Sequence, residues 1–293
     1  MDELHHRHRY RRENKSKKRT NDPEKCKWVS VDGVQMKNGR NAERETLEFE
    51  KLRLRDITWN SCIMNLGPRE SGKSFLTISQ MLAIRPAKYV VFTGSTVTKK
   101  NPYVRILPDG SVIQGFPEEC LRELIDAQKK LCTENNLDFQ TMSKDEIKDA
   151  MKEIGLMVIL DDLSQDESIY NSSIFKELIF NGKHYGIFVI VNVHFATCVS
   201  YRSRDQFQYV FATLDTSIKN CGKLYDYFFG CFPNIRAFTK VYRELAVEFR
   251  VMVKKPNIKS WELHDSVCWF KADKTRIEKF LDSGNKLGHP DFF

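Results

Sequence analysis

Gly67-Pro68-Arg69-Glu70-Ser71-Gly72-Lys73-Ser74 lies between two segments with different hydrophobic patterns. Residues 62–66, before it, form a short apolar run typical of a buried strand, and residues 75–82, after it, have the amphipathic pattern of a helix. A Gly-x-x-x-x-Gly-Lys-Ser sequence in this position is the signature of a phosphate-binding loop, the P-loop or Walker A motif. The sequence therefore predicts a strand–loop–helix unit at the centre of an α/β fold.

The chemistry of this loop favours a nucleoside triphosphate. Its two glycines let successive backbone N–H groups point at phosphate oxygens, and the helix that follows adds the positive end of its dipole. Lys73 supplies a charge between the β- and γ-phosphates, and the Ser74 hydroxyl is placed to bind Mg²⁺. We therefore expect residues 67–74 to bind ATP; the alternative is a glycine turn before a helix with an exposed lysine.

Outside the loop, apolar runs alternate with amphipathic stretches along most of the chain. The runs predict strands at 57–66, 89–92, 156–160, 187–193 and 209–211, and the amphipathic stretches predict helices at 73–84, 117–132, 143–154 and 172–183. Farther on, the pattern predicts helices at 224–229 and 235–245 and strands at 246–253 and 266–270. Apolar strands that alternate with helices indicate an α/β fold with a doubly wound, mostly parallel sheet of the P-loop NTPase type.

Composition divides the chain into three parts. Residues 1–45 are polar and predict a basic, disordered tail, residues 46–272 the P-loop ATPase domain, and residues 273–293 a polar C-terminal extension. The chain has a net charge of +8, and its first 20 residues hold eight basic and three acidic side chains. Such an arm is attracted to nucleic acid through counterion release; a solvated tail or a nuclear-import signal is the alternative.

Cysteine usage and hydropathy indicate the environment of the chain. Its 8 cysteines are scattered without a Cys-x-x-Cys pair, which predicts reduced thiols in an intracellular protein. The N-terminus is charged where a signal peptide is apolar, and apolar runs such as 156–160 are too short to span a bilayer. We therefore expect a soluble protein without a membrane partner.

Two carboxylates follow the apolar run 156–160. Asp161 and Asp162 stand at its carboxyl end, the edge at which α/β sheets bind ligands. We expect Asp161 to hold Mg²⁺ and Asp162 to orient or deprotonate the attacking water. Acidic residues in this position also serve as helix caps, which is the alternative interpretation.

Polar side chains also end the run 187–191. Asn192 and His194 lie on the same side of the predicted strand because side chains alternate along it. In P-loop ATPases with an extra strand between the P-loop strand and the acidic strand, a polar residue here contacts the γ-phosphate or the attacking water. We therefore expect Asn192 or His194 to be the sensor, and a purely structural histidine is the alternative.

Five passages of the chain resemble the genome-packaging ATPases of nucleocytoplasmic large DNA viruses, the poxvirus-type branch of the FtsK–HerA superfamily. The resemblance covers about residues 52–272. The passages are GPRESGKS (67–74), LMVILDDL (156–163), GKHYGIFVIVNVHFA (182–196), YRSRDQFQYVF (201–211), and KLYDYFFGCFP with VCWFKA (223–233 and 267–272). The last two of these segments are not general features of P-loop proteins.

The resemblance implies roles for individual residues. It places Lys73 in the nucleotide cradle and matches Arg204 to the arginine that follows the sensor strand and acts on the neighbouring subunit's nucleotide. His194 departs from the family, which usually has glutamine there, and Ser200-Tyr201 replaces a common Pro-Pro pair. Arg69, inside the loop, is an alternative trans-acting arginine, as in some other viral packaging motors; a solvent-facing arginine is the other interpretation.

The resemblance further implies an Mg²⁺-dependent ATPase that forms a homo-oligomeric ring and moves double-stranded DNA into a viral capsid. Capsid or portal proteins would be its partners. Its location would be the viral assembly site, in cytoplasm or nucleus, and the virion. The alternatives are a helicase or DNA-repair translocase of the same superfamily, a non-hydrolysing nucleotide-binding virion protein, and a small-molecule kinase.

Overall fold

The strand–loop–helix unit predicted around residues 67–74 is present in the computed structural model, which describes residues 28–36, 44–163, 165–256, 260 and 262–289. A strand, Cys62–Leu66, leads into the loop, and a helix, Lys73–Ala83, leads out of it. Gly72 caps this helix with a φ of 91°, in the left-handed region that glycine enters without a steric penalty.

Ten strands form two sheets in the described part of the chain. In chain order they are β1 (Trp28–Gln35), β2 (Arg44–Glu50), β3 (Cys62–Leu66), β4 (Lys88–Thr93), β5 (Val112–Gln114), β6 (Leu156–Asp161), β7 (Ile187–Val193), β8 (Tyr209–Ala212), β9 (Arg250–Lys254) and β10 (Val267–Lys271). β1 and β2 pair as an antiparallel hairpin, and the other eight strands form one sheet in the order β10-β9-β8-β3-β7-β6-β4-β5.

The large sheet confirms the predicted fold class. Strands β3 to β8 are mutually parallel, whereas β9 runs antiparallel to both β8 and β10. β7 lies between β3 and β6. The extra strand between the P-loop strand and the acidic strand is therefore present, as expected for the additional-strand class of P-loop NTPases.

Helices cover both faces of this sheet. They are α1 (Lys73–Ala83), α2 (Pro102–Ile106), α3 (Glu118–Glu134), α4 (Lys144–Glu153), α5 (Ser173–Asn181), α6 (Tyr201–Arg204), α7 (Ile218–Phe228), α8 (Ile235–Leu245), α9 (Leu263–Ser266) and α10 (Lys274–Asp282). Val158 and Leu160 of β6 pack with buried residues of α5, α7 and α8, while Met157 and Ile159 pack with those of α1, α2, α4 and α10. Alternating side chains of one strand thus contribute to two cores.

The hairpin corrects part of the predicted N-terminal tail. β1 lies inside residues 1–45, while residues 1–27, with the basic arm, lie outside the described residues. A bulge at Gly33, whose φ is 67°, shifts the register so that Val31 and Val34 are both buried despite their odd spacing. The regular alternation that identifies a strand in a sequence is therefore broken here. The hairpin is anchored to the sheet, because the Trp269 indole donates to the carbonyl of Phe49 at 3.1 Å.

The predicted C-terminal extension packs against the ATPase domain. Ile277 of α10 is buried, and so is Leu287, whose backbone N–H donates to the carbonyl of Ile106 at 2.7 Å. His289 donates in the same way to Ala87 at 3.0 Å. Within the described residues, the segment after 272 is therefore part of the same folded unit.

Two predicted strands are shorter than expected. Residues 57–61 are not in a strand, and β9 begins at Arg250, because Glu248 and Phe249 adopt positive φ values of 53° and 62° in a turn. Among the described residues, no helix is long and apolar enough to cross a bilayer.

Candidate functional site

The carboxyl ends of three neighbouring parallel strands bring most of the predicted site residues together. β3 leads into the loop at residues 67–74, β6 ends at Asp161, and β7 ends immediately before His194. Asp162 follows with a φ of 53°, in the left-handed region that few residues other than glycine adopt. The loop, both aspartates and the histidine therefore share one edge of the sheet.

The loop is held in place by a threonine from the next strand. The backbone N–H of Thr213, directly after β8, donates to the carbonyl of Leu66 at 2.9 Å, and its hydroxyl lies 2.8 Å from Oγ of Ser71. Gly67 has no room for a side chain, because a Cβ there would overlap the Thr213 hydroxyl. Thr213 was not among the predicted residues, although a polar residue at the end of an apolar strand is the same signal that identified Asp161.

Lys73 is buried beneath the loop, with three hydrogen-bond partners. Its ammonium donates to the carbonyls of Gly67 and Pro68, both at 2.7 Å, and to Nδ1 of His194 at 3.1 Å. Burial lowers the pKa of Lys73 to about 8, whereas the charges of Asp161 and Asp162 oppose that shift. At neutral pH the lysine is therefore still mostly charged, and its three donors are used by the protein itself.

His194 joins this lysine to the second aspartate. Its Nε2 lies 2.7 Å from Oδ1 of Asp162. Since Nδ1 accepts from Lys73, the proton of the imidazole belongs on Nε2, which donates to the carboxylate. Asp162, His194 and Lys73 thus form a continuous chain of hydrogen bonds across the edge of the sheet.

A row of polar residues lies next to this chain of hydrogen bonds. Asn65, Asn192 and Asp161 occupy paired positions on β3, β7 and β6. Asn192 donates to Asp161 at 2.5 Å and contacts Asn65 at 2.9 Å and Thr77 of α1 at 2.9 Å. Asn192 is fully buried, so it positions Asp161 and α1 and does not face the loop's open side.

Tyr103, a residue that was not predicted, lies near both predicted Mg²⁺ ligands, Asp161 and Ser74. Burial raises the pKa of Asp161, and the hydrogen bond from Asn192 opposes that rise. The hydroxyl of Tyr103 in α2 forms hydrogen bonds with Ser74, Thr77 and Asn192, and burial raises its pKa well above its usual range. A helix residue far from the loop along the chain carries no sequence signal of this contact.

Gly94 shapes the other side of Asp162. Its backbone N–H donates to the carbonyl of Asp161 at 3.0 Å, directly after β4. A Cβ on Gly94 would overlap the carbonyl oxygen of Asp162, so only glycine permits this close approach of two backbones. The left-handed conformation of Asp162 is therefore enclosed by the turn after β4.

Neither candidate arginine takes part in the hydrogen bonds of this cluster in the described chain. The Arg204 guanidinium stacks 3.7 Å from the ring centroid of Tyr227 in α7 and donates to the carbonyl of Ala196 at 3.2 Å. These contacts hold Arg204 against its own chain and not against the loop. Arg69 is exposed within the loop. Burial is the main cause of the lowered pKa of Lys73, and the positive charge of Arg69 lowers this pKa further.

Among the known proteins to which this chain is similar are a viral protein and two solved structures. No known protein-family profile matches the chain. Uncharacterized protein L437 of Acanthamoeba polyphaga mimivirus is 25% identical over 254 residues, which are 85% of this chain and 86% of that protein. The pCW3 conjugation coupling protein TcpA, in a monomer form with ATPγS, has a TM-score of 0.50 at 13% identity and matches 88% of this chain and 70% of that chain. The genome packaging NTPase B204 of Sulfolobus turreted icosahedral virus 2, with AMPPCP, has a TM-score of 0.48 at 12% identity over 73% of this chain and 98% of that chain.

The sequence similarity to a mimivirus protein agrees with the viral resemblance that the five sequence passages indicate. The likeness to TcpA confirms the P-loop NTPase fold.

Proposed function

We propose that this protein is an Mg²⁺-dependent ATPase motor that translocates double-stranded viral DNA into a capsid during virion assembly. The observation that carries the ATPase is the hydrogen-bonded chain from Lys73 through His194 to Asp162, set directly beside a P-loop. The cargo rests on the resemblance of residues 52–272 to viral packaging ATPases and on the similarity to a protein of a large DNA virus.

Lys73 is the side chain that binds the triphosphate. Its ammonium is satisfied by the neutral carbonyls of Gly67 and Pro68, and phosphate oxygens are stronger acceptors because they are charged. ATP binding therefore draws Lys73 away from these carbonyls and from His194. The backbone N–H groups of the loop and the N-terminus of α1 hold the remaining phosphate charge.

Ser74 and Asp161 are the residues that would hold Mg²⁺. The ion prefers oxygen ligands and in nucleotide sites uses one or two protein groups together with substrate phosphates. A hydroxyl and a half-buried carboxylate that both lie near Tyr103, the carboxylate being oriented by Asn192, fit this requirement. When bound, Mg²⁺ supplies positive charge that neutralises the developing charge on the β- and γ-phosphate oxygens.

Asp162 activates the attacking water, and His194 is the sensor. The carboxylate of Asp162 takes the proton of a water aligned with the γ-phosphate, a role in which a positioned base accelerates a reaction by about 10² to 10⁴. His194 holds this carboxylate through Nε2, and its Nδ1 loses the Lys73 partner when nucleotide binds. The imidazole thus couples occupancy of the cradle to the position of the base.

The motor function adds a ring and a DNA-gripping surface. Arg204 is proposed to leave Tyr227 and act on the neighbouring subunit's nucleotide, with Arg69 as the alternative. The basic arm within residues 1–20 adds contacts to DNA phosphates without reading sequence. Capsid or portal proteins at the viral assembly site are the corresponding partners.

The proposal is tested by measuring ATP turnover by the full chain without DNA, with linear double-stranded DNA, and with single-stranded DNA of equal length. A packaging motor is expected to be stimulated by duplex DNA, and the stimulation should weaken as salt rises because phosphate contacts contribute to binding.

Three other outcomes contradict this proposal and identify an alternative. Turnover that is indifferent to DNA would rule out the translocase and leave the ATPase. Stronger stimulation by single strands, with strand separation, would favour a helicase or repair translocase. Binding of ATPγS without any hydrolysis of ATP would favour a nucleotide-binding virion protein.

A further inference from the structure

A strained turn next to the P-loop displays an aromatic ring to solvent. The backbone N–H of Arg250 donates to the carbonyl of Val247 at 2.9 Å, and the two residues between them, Glu248 and Phe249, both have positive φ. This is the φ pattern of a type I′ turn, which normally contains Asn and Gly because other side chains are strained there. Phe249 nevertheless occupies the second position, and 78% of its surface is exposed.

The turn lies at the same edge of the sheet as the phosphate cradle. β9 starts directly after the turn and runs antiparallel to β8, so its first residues lie beside the carboxyl end of β8 and near the end of β3. A Cβ placed on Gly72 would be 3.8 Å from Cδ1 of Phe249. The Phe249 ring therefore stands against the last glycine of the P-loop.

A second exposed ring follows the P-loop directly in the sequence. Phe75 is the third residue after Gly72, at the start of α1, and 38% of its surface is exposed. Helical side chains point back toward the N-terminus of their helix, which here is the P-loop end of α1. Exposed rings from two elements, α1 and the turn before β9, therefore adjoin the P-loop.

We propose that Phe249 and Phe75 form a clamp that stacks on the base of the nucleotide whose phosphates occupy the P-loop. This assignment deepens the proposed nucleotide site by naming what holds the base. The occupant is a nucleobase because the clamp adjoins the triphosphate cradle, so the base of a bound nucleotide lies within reach. A flat aromatic base also matches the exposed face of a phenylalanine ring, and such stacking is worth about 1 to 3 kcal/mol per base.

Because the clamp holds the base, we expect the two rings to contribute to the affinity for ATP but not to the affinity for a triphosphate that lacks a base. Calorimetric binding to the full chain with Mg²⁺ is measured for ATPγS and for inorganic tripolyphosphate. Phe249→Ala and Phe75→Ala are each expected to weaken ATPγS binding by about 5- to 150-fold. Tripolyphosphate affinity should stay unchanged, and Phe249→Trp should restore ATPγS affinity.

Tyr201→Ala is the matched control, because Tyr201 is similarly exposed, at 71%, but belongs to α6. It should leave both affinities unchanged. The clamp would be overturned if Phe249→Ala weakened the binding of ATPγS and of tripolyphosphate equally. It would also be overturned if both variants kept the wild-type affinity for ATPγS, or if the wild type did not bind ATPγS. Intact ATPγS binding without turnover would contradict the proposed ATPase and leave the clamp standing, since binding is measured without hydrolysis.

Discussion

Lys73→Ala is expected to abolish ATP hydrolysis and to weaken ATP binding strongly. The substitution removes the buried ammonium whose neighbours are the loop carbonyls and His194. Loss of a single preorganised electrostatic contact to a reacting group costs about 10² to 10³ in turnover, and Lys73 also contributes to binding in the ground state. Phosphate release and ATPγS titration of the variant measure the two effects separately.

The variant should fold normally. Burial lowers the pKa of Lys73 to about 8, below its ordinary value, so the folded state disfavours the charge that alanine removes. Lys130→Ala is the matched control, because the Lys130 side chain is 76% exposed and forms an ion pair with Glu134 on the surface. It should retain full turnover. A Lys73→Ala protein that hydrolyses ATP at the wild-type rate would contradict the role assigned to the loop.

Asp162→Asn is expected to lower kcat by about 10² to 10⁴ while ATPγS affinity stays near that of the wild type. Asparagine keeps the size of the side chain and an oxygen that can accept from His194, but it cannot take a proton from water. The loss should therefore appear in turnover and not in binding. Single-turnover hydrolysis together with ATPγS titration separates these quantities.

Asp166→Asn controls for the loss of a negative charge in the same segment. Asp166 is exposed and accepts a hydrogen bond from the backbone of Ser168, away from His194. Its substitution should leave kcat unchanged. If Asp162→Asn kept wild-type turnover, another group would have to activate the water, and Asp162 would be only a partner that orients His194.

Most of the candidate site could be predicted because its residues follow one rule. Asp161, Asp162 and His194 are polar residues at the ends of apolar runs, and parallel strands deliver such ends to one edge of the sheet. The loop at 67–74 is identified by its glycines and lysine. Thr213 obeys the same rule and could have been found from the end of the run 209–211.

Other parts of the site depend on contacts between distant segments. Gly94 matters because it approaches the backbone of Asp162, and Tyr103 because its hydroxyl reaches Ser74. Neither residue belongs to a motif, and neither spacing predicts the contact. These positions are fixed by how β4 and α2 pack beside β6 and α1.

Two elements of the fold could not be predicted because they break local preferences. The bulge at Gly33 disrupts the alternation of β1, so the strand resembles a polar lead-in. The turn before β9 contains Glu248 and Phe249, whose residue types are uncommon in such turns, so the sequence of residues 246–253 resembles one continuous strand. In both places tertiary contacts outweigh the local pattern.

The decisive test of the proposed ATPase is phosphate release from ATP by the purified full chain with Mg²⁺, after chelation with EDTA, and after Mg²⁺ is restored. Turnover is expected to be steady with Mg²⁺, to be lost on chelation and to recover fully, since Ser74 and Asp161 are proposed to hold the ion beside the phosphates. Turnover no higher than that of Lys73→Ala, or turnover unaffected by EDTA, would contradict the proposed Mg²⁺-dependent ATPase.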